Sequence, residues 1–136
     1  MNCQFSYTTK MGLKGNLSTA HRVGQLVIAS RTCNQELGIG LVTNVMFMDM
    51  GEPFQNIDNK ITAVEIMTNG QRLHLSPLKV AISTSGVVPQ IRTFCQTSDC
   101  ALAVNSIATT TDKVKDKIMC VDRRYNLMDS LDCVQE

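Results

Sequence analysis

The chain alternates three times between a short apolar segment, a turn and a segment with helical spacing, and this alternation constrains the fold most. The apolar segments are "LVTNVMFMDMG", "KVAISTSG" and "CALAVNS". Strands that are apolar nearly throughout are typical of a parallel sheet whose two faces are covered by helices. The sequence therefore predicts an α/β fold with about three parallel strands and covering helices.

The segments around these strands have apolar residues at the spacing of one helix face. "STAHRVGQLVIASR" precedes the first strand, and Ser18 is a good N-cap. Because His21 stands where a capping box has Glu, we expect an incomplete box. The other predicted helices are "NIDNKITAVEIMTNG", "VPQIRTFCQ", "TTDKVKDKIM" and "YNLMDSLDCVQE".

The carboxyl ends of the strands are the expected binding edge, because ligands of parallel sheets bind beyond these ends. Gly51 allows close backbone approach there, and Glu52 supplies an acceptor for a cationic group such as an ammonium. Hydroxyl groups at the strand exits come from Ser83, Thr84, Ser85 and Ser106. The pattern leaves an alternative open, in which Gly-Glu-Pro is a turn and the hydroxyl residues cap the following helices.

Composition and charge exclude several classes of protein. Of the 136 residues, 43% are hydrophobic and 18% are charged, which is typical of a globular domain. The net charge of +1 gives no broad field for nucleic acid, so we expect no DNA partner, and RNA contact would need a local basic patch. No run of about 18 apolar residues is present, so no membrane span is predicted. Without a glycine-rich phosphate loop, nucleoside triphosphate chemistry is not predicted.

The sulfur-containing and histidine side chains are interpreted as structural. The six cysteines give no compact disulfide framework and no secretory leader precedes them, so we expect free thiols in a reducing compartment. Cys95 and Cys100 are predicted to be buried inert thiols. His21 and His74 are predicted to be surface or cap residues. The alternating methionines of the first strand are predicted to be packing residues: Met46, Met48 and Met50.

Several segments together resemble the radical S-adenosylmethionine (SAM) adenine-C2 RNA methyltransferases. They are "NCQFSYTTKMGLKGNLSTA", "VTNVMFMDMGEPFQN", "KVAISTSGVVPQI", "CALAVNSIATTTDKVKDKI" and "RRYNL". The resemblance covers essentially the whole chain and implies a partial (βα) radical SAM barrel, in agreement with the alternation. It implies methylation of adenine C2 in large-subunit rRNA and, in some members, tRNA. The sequences of several of these segments are similar to those of plant members of the family, which implies a soluble protein of the plastid or cytoplasm.

The resemblance also implies two cofactors, SAM and a [4Fe-4S] cluster. The family's cluster loop is Cys-x3-Cys-x2-Cys, which leaves one iron open for SAM. On this sequence Cys3 matches the middle cysteine, Ser6 replaces the third, and the first would lie upstream of Met1. Cys3 is then the single surviving cluster ligand. Residues 1–136 are expected to be a partial core domain that starts inside the cluster loop and ends before the C-terminal part of the barrel.

The family's SAM-binding motif and two further serines carry over to the exits of the three strands. The Gly-Glu-Pro motif, which holds the SAM amino group in the family, matches Gly51, Glu52 and Pro53. The SAM-contacting serine of the next strand matches Ser83, and the serine of the third strand exit matches Ser106 if Asn105 is a one-residue insertion. The sequence departs from the family at three further positions: Asp49, Ala108 and Cys120.

Two functions follow from the resemblance. The first is a family methyltransferase whose missing ligands come from outside this sequence, with rRNA or tRNA as partner. The second is a non-catalytic paralogue that at most binds SAM weakly or binds another protein. Ser6 favours the second, because a serine hydroxyl is a poor cluster ligand beside a thiolate. Three strands of a larger barrel also leave unpaired edges, so we expect the isolated chain to be marginally stable or to aggregate.

Overall fold

Three short strands form one parallel sheet. The computed structural model describes residues 11–12, 14–48, 51–105 and 132–133. The strands are β1 (Val45–Phe47), β2 (Val80–Thr84) and β3 (Ala101–Val104), in the order β1-β2-β3. Val45 lies opposite Val80, and Thr84 lies opposite Val104. The predicted α/β class with three parallel strands is confirmed.

Three helices accompany the sheet: α1 (Thr19–Arg31), α2 (Ile57–Thr68) and α3 (Val88–Thr97). Helix α2 connects β1 to β2, and α3 connects β2 to β3, as parallel pairing requires. A π-helical turn follows α1 at Thr32–Glu36, and 3-10 turns occupy Pro53–Asn56 and Pro77–Lys79. The two helices predicted after β3 lie outside the described residues, apart from Asp132 and Cys133, which are helical. No helix in the described ranges is long and apolar enough to cross a membrane.

The core lies between the sheet and helices α2 and α3. Phe54 and Phe94 are 2% and 0% exposed, and their ring centroids lie 5.8 Å apart. Val80 and Ile82 of β2 are fully buried beside them. Burying each such side chain stabilises the fold by about 1.5 to 3 kcal/mol. Strand β2 is the central strand, and the rest of the domain packs around it.

Strand β1 is shorter and more open than its apolar sequence predicts. Phe47 is 7% exposed and belongs to the core, whereas Met46 is 45% exposed and Met48 is 74% exposed. The prediction that these methionines are packing residues is therefore wrong. Successive side chains of a strand point to opposite faces, and only the face that carries Phe47 is covered within the described part of the chain. Met50 lies outside the described residues.

The predictions for small polar and sulfur side chains are partly confirmed. Ser18 caps α1, but the capping box is complete, because His21 Nδ1 accepts a hydrogen bond from the Ser18 amide at 3.3 Å. Both histidines are exposed, as predicted. Cys133 is buried and free, whereas Cys95 is exposed and Cys100 is half-buried, so the predicted burial is wrong for Cys95 and only partly met by Cys100. Cys95 follows the buried Ile91 and Phe94 on α3 but is not part of their buried stripe.

Candidate functional site

The carboxyl ends of the three strands meet at one edge of the sheet and are joined by hydrogen bonds. The Asn105 amide, directly after β3, donates to the carbonyl of Thr84 at 2.7 Å. The Asn105 side chain donates through Nδ2 to Ser83 Oγ on β2. Thr84 and Ser85 in turn bond to Glu52, which follows β1. The expectation that these strand exits line one rim therefore holds for the residues that the structure describes.

Glu52 is the centre of this network. Its side chain is 4% exposed, and its two carboxylate oxygens accept four hydrogen bonds. Oε1 accepts from the Phe54 amide at 3.1 Å and from Thr84 Oγ1 at 2.6 Å. Oε2 accepts from the Ser85 amide at 2.9 Å and from Ser85 Oγ. A carboxylate has about four lone-pair sites, so these donors use its full capacity.

Glu52 is predicted to accept a hydrogen bond from an ammonium, but its carboxylate oxygens are already occupied by these four donors. In this arrangement its carboxylate fixes the β1 exit against the β2 exit, and its negative charge remains next to the turn at Gly51. Part of the structural alternative also holds, because Glu52 is the N-cap of the 3-10 turn Pro53–Asn56. The other part of that alternative, in which the strand-exit hydroxyls cap the following helix, is wrong for α3. The N-cap of α3 is Val87, which forms no side-chain cap. The Thr84 and Ser85 hydroxyls bond to Glu52 instead.

Gly51 is required by the backbone conformation of the β1 exit. Its φ is +136°, a region that side-chain-bearing residues rarely adopt. A Cβ built at this position meets nothing within 4 Å, so the constraint is conformational and not one of space. Gly51 is exposed, which leaves the adjoining backbone open to a ligand.

Sequence reasoning missed Lys60 and Asn105. Lys60 is fully buried, and its Nζ donates to the carbonyl of Pro53 at 2.8 Å, which ties α2 to the Gly-Glu-Pro turn. Its spacing from Ala63, Val64 and Met67 puts it on the buried face of α2, and that spacing could have identified it. Asn105 was interpreted as an insertion, although a polar residue directly after an apolar strand is itself typical of a strand exit.

A cavity of about 620 Å³ adjoins the Gly-Glu-Pro turn. Gly51 and Glu52 line this cavity, and Arg22 and Leu26 of α1 line it as well. Its volume is in the range of small-molecule sites. Ser83 does not line this cavity; it is 8% exposed and its hydroxyl bonds to Asn105.

The cluster-loop residues and the third strand-exit serine belong to the other predicted site residues. Cys3, Ser6 and Ser106 lie outside the described residues, as do the three positions that depart from the family pattern. Within the described ranges, no group of three or more His, Cys, Asp or Glu side chains could hold a metal ion. A cluster site therefore rests on the sequence alone.

Comparisons with known proteins give one consistent result, although no family model matches the chain. The chain is 40% identical over 134 residues to the "Dual-specificity RNA methyltransferase RlmN" of Francisella tularensis subsp. holarctica (strain FTNF002-00 / FTA), covering 97% of this chain and 36% of that protein. The protein of the same name from Francisella tularensis subsp. novicida (strain U112) is 39% identical over the same share of both chains.

The fold is similar to the crystal structure of a radical SAM methyltransferase from Sphaerobacter thermophilus. The TM-score is 0.87 at 32% sequence identity, and the match covers 97% of this chain and 38% of that one. The chain thus spans a little more than a third of the length of the relatives it matches.

Proposed function

From the premise that this chain belongs to the radical SAM RNA methyltransferase family, we propose that it forms part of a SAM-binding surface of such an enzyme. The observation that carries the proposal is the rim at the strand exits, where Glu52 joins the β1 exit to the β2 exit. The substrate that we propose is adenine C2 of large-subunit rRNA or tRNA. The plastid or cytoplasmic location stays a prediction.

We assign different tasks to the residues of the rim. Gly51 gives the β1 exit a backbone conformation that leaves room for close approach of a ligand, and backbone carbonyls of this turn would accept from the SAM ammonium. Glu52 holds that turn in place and adds a negative charge beside the cation. Ser83 and Ser106 supply hydroxyls from the second and third strand exits, and Asn105 orients the Ser83 hydroxyl. SAM itself supplies the methyl and radical chemistry.

We further propose that the chain does not transfer a methyl group with only the cluster ligands that it contains. Cys3 matches one cysteine of the family loop, and Ser6 stands where the loop has its third thiolate. This substitution favours the second candidate, a non-catalytic paralogue that retains only the SAM-binding surface. The two candidates share the rim and differ in the cluster, so two experiments separate them.

The first experiment is equilibrium dialysis of the full chain against radiolabelled SAM. We expect saturable binding, and we expect Gly51→Ala to weaken it about tenfold or more, because holding an alanine at this positive φ costs about 1 to 3 kcal/mol. Gly70→Ala is the matched control, since Gly70 also has open space around it but no positive φ. Absence of saturable binding, or equal weakening by both variants, would contradict the proposal.

The second experiment is anaerobic reconstitution with iron and sulfide, followed by iron quantitation and EPR with and without SAM. We expect no stable cluster, because Ser6 replaces a thiolate of the family loop and a serine hydroxyl is a poor cluster ligand. Ser6→Cys is the informative variant. A cluster of about four irons in the unaltered chain, with an EPR spectrum that changes on adding SAM, would restore the enzyme hypothesis.

A further inference from the structure

Arg22 is a buried cation on the first turn of α1. Its side chain is 6% exposed, and its Nη1 donates to the carbonyl of Leu17. Its Nε is buried and has no hydrogen-bond acceptor. Among the described residues, no carboxylate forms a hydrogen bond or an ion pair with this guanidinium. One neutral carbonyl is therefore its only acceptor in the described part of the chain.

This arrangement is unfavourable unless an anion completes it. A buried charge is desolvated at a cost of several kcal/mol, and it is normally compensated by an opposite charge and by further hydrogen bonds. An arginine presents five N–H donors in a planar fork, which matches the oxygens of a carboxylate or phosphate. The fork edge that carries Nε is the edge left without an acceptor.

The surroundings of Arg22 provide the space and the charge for such a ligand. Arg22 lines the cavity of about 620 Å³ between α1 and β1, and the exposed Lys14 lines the same cavity. Among the described residues that line it, Glu52 is the one acidic residue, and its oxygens are occupied by donors from Phe54, Thr84 and Ser85. The amides of Gln25 and Asn44 add neutral donors at the wall. The cavity therefore favours an anion near Arg22.

We propose that Arg22 anchors a binding site for the phosphate or carboxylate group of a ligand in this cavity. Binding of the anion replaces the missing acceptors of the guanidinium, and Lys14 lies at the same cavity to balance a second negative charge. The positive charges of the site come from α1 and the segment before it, and the site shares its cavity with the Gly-Glu-Pro turn.

The test is a titration of the full 15N-labelled chain with sodium phosphate or with sodium acetate at constant ionic strength, while the arginine Nε–H signals are followed by NMR. We expect the Arg22 signal to shift saturably with at least one of the two anions. A stronger response to phosphate identifies phosphate-bearing ligands, and a stronger response to acetate identifies carboxylates. Arg31, exposed at the end of the same helix, is the internal reference, and its signal should not shift.

Two variants complete the test. In Arg22→Met we expect the anion-dependent rise of the thermal midpoint to disappear, whereas Arg31→Met keeps it. Arg22→Met should unfold in chloride at an equal or higher temperature, because an apolar side chain of similar size replaces an uncompensated charge. If this variant does not fold, the wild-type Arg22 signal still decides the question. An Arg22 signal that neither anion shifts would overturn the proposal, whatever the SAM-binding result.

Discussion

The hydrogen bond from Thr84 Oγ1 to Glu52 Oε1, at 2.6 Å, joins two residues that are both nearly fully buried. Thr84→Val keeps the shape of the side chain and removes the donor, so one lone pair of a buried carboxylate loses its partner. We expect the free energy of unfolding to fall by about 1 to 3 kcal/mol. Urea denaturation followed by circular dichroism measures this change.

The matched control is Thr93→Val on the exposed surface of α3, where the hydroxyl bonds only to the carbonyl of Pro89 one turn earlier. This change should alter the free energy of unfolding by less than about 0.5 kcal/mol. Equal losses in the two variants would show that the Glu52 network does not hold the β1 and β2 exits together.

The fold also changes the acidity of the Cys95 thiol. Although Cys95 is exposed, partial desolvation of its thiol raises its pKa above the ordinary 9.0, and the negative charge of a deprotonated Cys133 raises it further. The folded state thus favours the neutral thiol, and its contribution to stability falls as the pH rises through 9.0 and above. At pH 8 we expect iodoacetamide to alkylate Cys95 more slowly in the folded chain than in urea, measured by peptide mass spectrometry. A faster reaction in the folded chain would indicate an activated thiol.

The start of α1 can be tested as an element. Ser18 Oγ accepts from the amide of His21, and His21 Nδ1 accepts from the amide of Ser18, so two amides at this helix end depend on the pair. Ser18→Ala should lower the free energy of unfolding by about 1 kcal/mol, whereas Ser76→Ala, which removes no side-chain cap, should not change it. Denaturant titration of both variants gives the comparison. An unchanged Ser18→Ala would mean that packing alone fixes α1.

Local patterns predicted the elements well and the site only in part. The order of strands and helices follows from apolar spacing, which acts over a few residues. The partners of Glu52 lie 32 and 33 positions away, and the Asn105 partner of Ser83 lies 22 positions away, so no local pattern indicates these bonds. The length and exposure of β1 could not be predicted either, because they depend on which of its faces other elements cover. Arg22 lies on an apolar helix face, and its role as a candidate anion-binding residue follows only from the cavity that it lines.

At the scale of the whole molecule, the described part of the sheet has two open edges. In the order β1-β2-β3, both β1 and β3 lack a neighbour on one side among the described residues. Large apolar side chains near the β1 end of the described fold are also exposed, including Ile39 at 74% and Leu41 at 66%. Unpaired strand edges beside apolar surface are the usual template for pairing with another chain. We therefore expect self-association that increases with protein concentration.

Met46→Lys tests this expectation on the edge strand itself. Met46 is 45% exposed on β1, and a lysine there keeps the strand but places a charge where a second sheet edge would pair. Sedimentation velocity over a concentration series should show the dissociation constant of self-association raised by about tenfold or more, which corresponds to about 1.4 kcal/mol. Leu78→Lys is the matched control, since Leu78 is 81% exposed on the 3-10 turn before β2 and not on an open edge. If both lysines reduce association equally, general surface charge and not the β1 edge governs it; if neither does, the chain associates through another surface.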